Sequence, residues 1–186
     1  MLPSNGHKTD YSPPTHKIFS MTSINKQFIT QKAPELLKAL KEDAEPLWGL
    51  MSTQHMLEHL SMMFHISKGN QLPCLVPDNK LQASLDYLMS DRPMRKNIRI
   101  PNAPLEPGEL RYDSLGFAYD KLMSKIEGFY AFYQENEGAE NMHPFFGKLD
   151  QEKWEQFHAK HLYHHLAQFG SLPEVDHISI EDALVA

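Results

Sequence analysis

The chain has 186 residues, a net charge of −6 at pH 7, and a hydrophobic fraction of 41%. This length and composition predict one ordinary globular domain and exclude wholesale disorder. No run of about 18 apolar residues is present, so a membrane-spanning helix is not expected. The acidic balance argues against nucleic-acid binding, because phosphate contacts require clustered Lys and Arg side chains.

The two ends of the chain predict tails around a compact body. Residues 1–22 are rich in Pro, Ser, Thr and Lys, and residues 171–186 form a second, C-terminal tail. The N-terminus lacks the apolar stretch of a secretory signal, and the single cysteine, Cys74, is typical of a reducing compartment. We therefore expect a cytoplasmic protein. The apolar tail residues that can still dock on the body are Ile178, Ile180 and Leu184.

Helical periodicity dominates residues 23–170 and predicts an all-α four-helix bundle. Pro34 is expected to kink the first helix or to mark the start of its second part, and Gly170 is expected to end the fourth helix. A long crossover, residues 71–110, separates the second and third helices and holds one short helix at about 81–89. The four main helices are predicted at 24–41, 52–68, 112–134 and 150–169, the second and fourth capped by Ser52 and Asp150.

Eleven histidines are the unusual feature of the composition, because histidine is the commonest metal ligand. His161 and His165 are four residues apart, so their rings lie one turn apart on one helix face and can bind one ion. His158 and Gln168 extend this face, and an apolar stripe beside it places it at the bundle interior. His164 lies off the face and is interpreted as solvated or supporting.

The second helix carries another histidine pair at the same spacing. His59 lies beside the apolar stripe and is placed to supply a third ligand from a facing helix, whereas His55 is expected to line the entrance. His65 is interpreted as structural. The segment from His55 to His59 also matches H-x-x-E-H, with Glu58 as the base of a zinc protease; those enzymes are far longer than this chain.

Two segments resemble the DinB/YfiT-like superfamily, specifically its DUF1569 branch. They are WGLMSTQHMLEHL at 48–60 and HPFFGKLDQEKWEQFHAKHLYHHLAQFG at 143–170. The resemblance implies a four-helix bundle with one divalent metal ion on three histidines, which here are His59, His161 and His165. Residues 71–110 match no motif and are expected to shape the substrate pocket. His143 is expected to anchor the loop before the fourth helix.

Three neutral imidazoles leave a divalent ion with room for water or a substrate atom. The expected metal is zinc, with nickel or iron as alternatives. Its open coordination position is expected to face a pocket lined by His158, Gln168 and aromatic residues of the third helix. The resemblance implies a hydrolase or a thiol-dependent S-transferase acting on a small molecule, and His158 is the candidate proton carrier. The alternative is a non-catalytic, metal-stabilised bundle that binds a small molecule or a protein partner. Besides a small-molecule substrate, a second copy of the chain in a homodimer is a candidate partner.

Overall fold

The computed structural model of the protein describes residues 21–69, 72–98 and 106–186. These ranges are mostly helical and contain one small two-stranded sheet, which confirms the predicted all-α class. Of the predicted N-terminal tail, positions 1–20 lie outside the described residues. None of the described helices combines the length and the apolar character needed to cross a membrane.

Helix α1 is built from three consecutive segments. Met21–Gln27 leads into a π-helical stretch, Phe28–Lys32, and the helix ends with Ala33–Ala39. The Ala33 N–H donates to the Phe28 carbonyl, five residues back, which is the π-helical pattern. Pro34 stands in the first turn of the last segment, where a missing N–H is tolerated. Of the two expectations for Pro34, the start of a second helical part is therefore the one that the structure matches, and a π-helical stretch precedes it.

The remaining predicted helices form within a few residues of their expected positions, and their caps explain the boundaries. The Ser52 side chain accepts a hydrogen bond from the His55 N–H, and Asp150 accepts one from the Lys153 N–H, as N-caps do. Gly170, with φ +70°, follows the end of the last long helix as predicted. The helices are α2 Thr53–Ile66, α3 Asp78–Met89, α4 Leu115–Glu135, α5 Gln151–Gln168 and α6 Ile180–Val185.

The core forms where α2 packs along α4 and where α1 packs along α5. The apolar stripe predicted for α2 is buried over its whole length, and the Phe64 ring meets Phe129 of α4 edge to face at 5.9 Å. Helix α5 is buried on nearly all sides, including the charged residue Lys160. The residues of the α2 stripe are Thr53, Met56, Leu57, Leu60, Met63 and Phe64.

Two features were not predicted from the sequence. A hairpin precedes α5, in which β1 Asn141–His143 pairs antiparallel with β2 Gly147–Leu149. Part of the C-terminal segment 171–186 forms α6, which packs against α1 and α5 with Ile178 and Ala183 buried. The docking considered for this segment therefore occurs, and it does so through a short helix.

Candidate metal centre

Three histidine side chains converge between α2 and α5. The Nε2 atom of His161 lies 3.0 Å from Nε2 of His59 and 3.0 Å from Nε2 of His165. One potential ligand atom from each histidine lies within 4.8 Å of those of the other two. An ion bound by imidazole sits about 2.0–2.1 Å from each nitrogen, so nitrogens that share an ion lie roughly 3–4 Å apart. The structure therefore brings together the three residues predicted as ligands.

Gln168 fixes the tautomer of His165. Its Oε1 atom lies 2.7 Å from Nδ1 of His165, and an amide oxygen can only accept a hydrogen bond. The Gln168 Nε2 atom donates to the Trp48 carbonyl at 2.7 Å, which is consistent with this amide orientation. The His165 proton is therefore on Nδ1, and the lone pair of Nε2 points toward His161, which is the arrangement typical of a metal-binding imidazole.

The three rings cannot satisfy one another with hydrogen bonds. Because His165 Nε2 carries no proton, its contact with His161 needs a proton on His161 Nε2. The contact between His59 and His161 then has no proton of its own. If His59 Nε2 also carries a proton, two N–H groups face each other; if it does not, the single proton of His161 is shared between two acceptors. A cation among the three nitrogens would accept all three lone pairs. The donor set thus fits a divalent metal ion.

Burial keeps these imidazoles neutral. His161 and His165 are buried and His59 is half-buried. Desolvation is the main cause that lowers the pKa of His59 to about 4, and it holds the pKa values of His161 and His165 well below the ordinary value, with the neighbouring histidines adding to the effect. At neutral pH the lone pairs are therefore available to a metal.

A loop between α1 and α2 closes over the Gln168 side of the cluster. The Leu47 N–H donates to the Gln168 carbonyl at 2.7 Å, in addition to the bond from the Gln168 side chain to Trp48. Gly49 has φ +81°, and a Cβ atom there would lie 2.9 Å from Gln168 Nε2. The close approach of this loop therefore requires glycine. Sequence analysis missed these contacts, because they join residues about 120 positions apart.

His164 forms the rim of this region. Its ring meets Trp48 edge to face at 5.6 Å, and the Lys96 ammonium lies 4.0 Å from the centre of the Trp48 ring. Burial, followed by the charge of Lys96, lowers the pKa of His164 to about 4. His164 is half-buried and lies outside the cluster, so of its two sequence interpretations the structure favours a supporting position.

His158, the predicted proton carrier, is not part of the cluster. Its ring stacks on Phe64 at 3.7 Å, and its Nε2 atom lies 3.1 Å from the Ser67 hydroxyl. Phe129 of α4 packs against the same ring at 5.1 Å. The sequence predicted that aromatic residues of the third main helix, α4, line the pocket beside the metal. Phe129 of α4 contacts His158, whereas the phenyl ring packed on His161, with ring centres 5.0 Å apart, is that of Phe157 in α5.

The H-x-x-E-H pair is not assembled. His55 lies outside the cluster, with Nδ1 2.7 Å from the Ser52 hydroxyl and Nε2 3.0 Å from the Gly108 carbonyl. The Glu58 carboxylate accepts hydrogen bonds from the backbone N–H groups of Arg111 and Tyr112. These contacts attach the end of the crossover to α2. Glu58 therefore has a structural role and is not placed as the catalytic base that the motif requires.

His143 lies in the hairpin that leads to α5. Its Nδ1 atom accepts a hydrogen bond from the Phe145 N–H at 3.0 Å, and its ring packs against Phe146 and Phe157. Burial lowers the pKa of His143 to about 3. These contacts agree with the expected role of anchoring the loop.

Comparison with known proteins assigns the chain to a family. The family model described as "Protein of unknown function (DUF1569)" matches residues 30–171. Neither a curated protein nor a solved structure matches the chain. The matched range contains α2, the hairpin and α5, and thus all three histidines of the cluster.

Proposed function

The chain belongs to the DUF1569 family, and we propose that its three-histidine cluster is the metal site of an enzyme. The proposed activity is that of a hydrolase or a thiol-dependent S-transferase acting on a small molecule. The observation that carries the proposal is the convergence of three imidazole Nε2 atoms in a buried place where they cannot all be hydrogen-bonded to one another.

The proposed fold is a DinB-like four-helix bundle formed by α1, α2, α4 and α5. Its support is the packing of α2 along α4 and of α1 along α5, together with a crossover that leaves α2 and returns at α4. Cys74, the single cysteine, supports the cytoplasmic location that belongs to the same proposal.

His59, His161 and His165 would hold the ion, with zinc as the proposed metal and nickel or iron as alternatives. A divalent ion on three neutral ligands would act as a Lewis acid, polarising a bound substrate group and increasing the acidity of a bound water or thiol. Gln168 orients the His165 ring, and Phe157 limits the access of water on the His161 side. Because His59 is the most exposed of the three, a substrate would approach from its side.

The role of His158 as proton carrier stays a prediction. Its hydrogen-bond distance to Ser67 and its stacking on Phe64 support a second role, in which it holds α5 against α2. The two roles differ in their expected results: loss of a proton carrier changes the pH profile of turnover, whereas loss of a packing residue lowers stability at every pH.

The direct test is metal analysis of protein purified without a histidine tag, comparing His165→Ala with His55→Ala. We expect about one divalent ion per chain in the unmodified protein, none in His165→Ala, and nearly full occupancy in His55→Ala. His55 is the matched control, because it lies on α2 one turn from His59 yet outside the cluster. Loss of the ion in His55→Ala with retention in His165→Ala would contradict the proposed ligand set.

One observation favours the non-catalytic alternative, a bundle whose metal only stabilises the fold. His161 and His165 are 7% and 5% exposed, so two of the three ligands are closed to solvent. Cobalt substitution separates the two functions. A thiol or hydroxamate that changes the cobalt spectrum indicates an accessible ion and supports the enzyme, whereas an unchanged spectrum with every such ligand supports the structural role.

A further inference from the structure

A positively charged pocket lies between the end of α2 and the middle of α4, away from the three-histidine cluster. It is an open surface depression of about 410 Å³. His65, which lines it, is six residues beyond His59, or about 9 Å further along the axis of α2. The lining residues are His65, Lys68, Lys125, Gly128, Ala131, Phe132 and Glu135.

Two lysines of this pocket lie close to each other and to His65. The Lys125 ammonium lies 3.5 Å from Nδ1 of His65. The charge of Lys125 acts on Lys68 and lowers its pKa, second to desolvation, and both lysines lower the pKa of His65 in the same way. Across the described parts of the chain, neither lysine forms an ion pair with a carboxylate. Two half-buried ammonium groups therefore face one pocket in a protein whose net charge is negative.

The absence of a side chain at Gly128 makes room for the Lys68 ammonium group. A Cβ atom at Gly128 would lie 2.7 Å from the Lys68 ammonium nitrogen. Glycine in a helix interior costs about 1 kcal/mol relative to alanine. Here it lets the ammonium lie directly against the surface of α4. Phe132 and Ala131 add an apolar wall beside the charges.

We propose that this pocket binds an oxyanion, the phosphate or carboxylate group of a small ligand, between Lys68 and Lys125. An oxyanion would accept charge-assisted hydrogen bonds from both ammonium groups and relieve their mutual repulsion. Glu135 also lines the pocket, and its carboxylate would repel an anion, so the proposed position of the anion is beside Lys68 and Lys125. The site is independent of the metal and of the proposed enzyme activity.

The experiment follows the His65 ring by NMR during pH titrations in inorganic phosphate, in acetate and in chloride at matched ionic strength. Binding of an oxyanion beside His65 should raise its titration midpoint by about 0.5 pH unit or more, because a nearby negative charge favours imidazolium. The rise should saturate with phosphate or acetate concentration, and the stronger of the two identifies the preferred group. Equal midpoints in all three salts would overturn the proposal, because only general screening would then act.

Substitutions of the lining residues test where the anion binds. Lys68→Gln and Lys125→Gln should each weaken phosphate binding about fivefold, the effect expected for a half-exposed charge pair. Lys121→Gln is the matched control, since Lys121 lies on α4 one turn from Lys125 but outside the pocket, and should leave binding unchanged. Gly128→Ala should displace the Lys68 ammonium and weaken binding while the melting temperature holds or rises. Unchanged binding in both lysine variants would refute the site even if phosphate shifts His65.

Discussion

Replacement of Gln168 by leucine should weaken metal binding without removing any ligand. Gln168 Oε1 lies 2.7 Å from Nδ1 of His165 and holds the tautomer in which Nε2 is free. Loss of such a supporting hydrogen bond typically weakens metal affinity about 10–100-fold. That range corresponds to about 1.4–2.7 kcal/mol of binding free energy.

The matched control is Gln156→Leu. Gln156 is also a buried glutamine on α5, and its side chain also has two partners: Oε1 accepts from Asn25 at 2.9 Å and Nε2 donates to the Leu88 carbonyl at 3.4 Å. Both variants should lose about 1–3 kcal/mol of metal-free stability, because each leaves buried polar groups without partners. Only Gln168→Leu should change the affinity for the ion.

Two measurements separate these effects. Competition with a chromophoric chelator gives the zinc affinity, and urea unfolding of the metal-free proteins gives the free energy of unfolding. An unchanged zinc affinity in Gln168→Leu would refute the assigned tautomer of His165. An equal loss of affinity in Gln156→Leu would show that general loosening of α5, and not the hydrogen bond to His165, controls binding.

Two further outcomes follow from buried titratable groups. The pKa values of His59 and His143 are lowered to about 4 and about 3, so the unfolded chain binds more protons below pH 6.5, and urea unfolding of the metal-free protein should show stability falling from pH 6.5 toward pH 4. Burial raises the pKa of Glu155 to about 7, which acts in the opposite direction, but this is one carboxyl group against several histidines. Constant stability between pH 6.5 and pH 4 would contradict the prediction. Lys160→Met should destabilise the protein by about 1–3 kcal/mol and speed amide exchange in α3 more than in α4. Equal acceleration in both helices would contradict the role of Lys160 as the hydrogen-bond partner of the carboxyl end of α3. The carbonyl groups that Lys160 contacts are those of Tyr87, Leu88 and Ser90.

Local spacing made part of the site predictable. Residues four apart on a helix share a face whatever surrounds the helix, so His161 and His165 could be paired from sequence. The assignment of His59 required a second helix, and its position beside the apolar stripe of α2 was sufficient because that stripe is entirely buried. The partner of His165 was only half found: Gln168 was placed on the right face, but its bond to Trp48 depends on a loop far away in sequence.

The elements that were missed are short or irregular. Each strand of the hairpin has three residues, too few for an alternating pattern to be recognised. The π-helical stretch in α1 has five residues, and a shift of the buried face over so short a stretch is hard to distinguish from ordinary α-helical spacing. Helix α6, by contrast, carries a visible start signal, because Ser179 caps it and the acidic residues Glu181 and Asp182 stand in its first turn.

The burial of α5 explains why its hydrophobic periodicity is weak. It also explains why the three-histidine cluster suits a cation. Hydrophobic periodicity indicates which side of a helix faces water. Because α5 is buried on nearly all sides, only a narrow part of its surface faces water. Its polar residues therefore look like a surface in sequence although they lie in the interior. The same enclosure removes water from His161 and His165 and keeps them neutral. The Nε2 atoms of these two enclosed imidazoles meet that of the half-buried His59, and a cation at this place would accept a lone pair from each of the three.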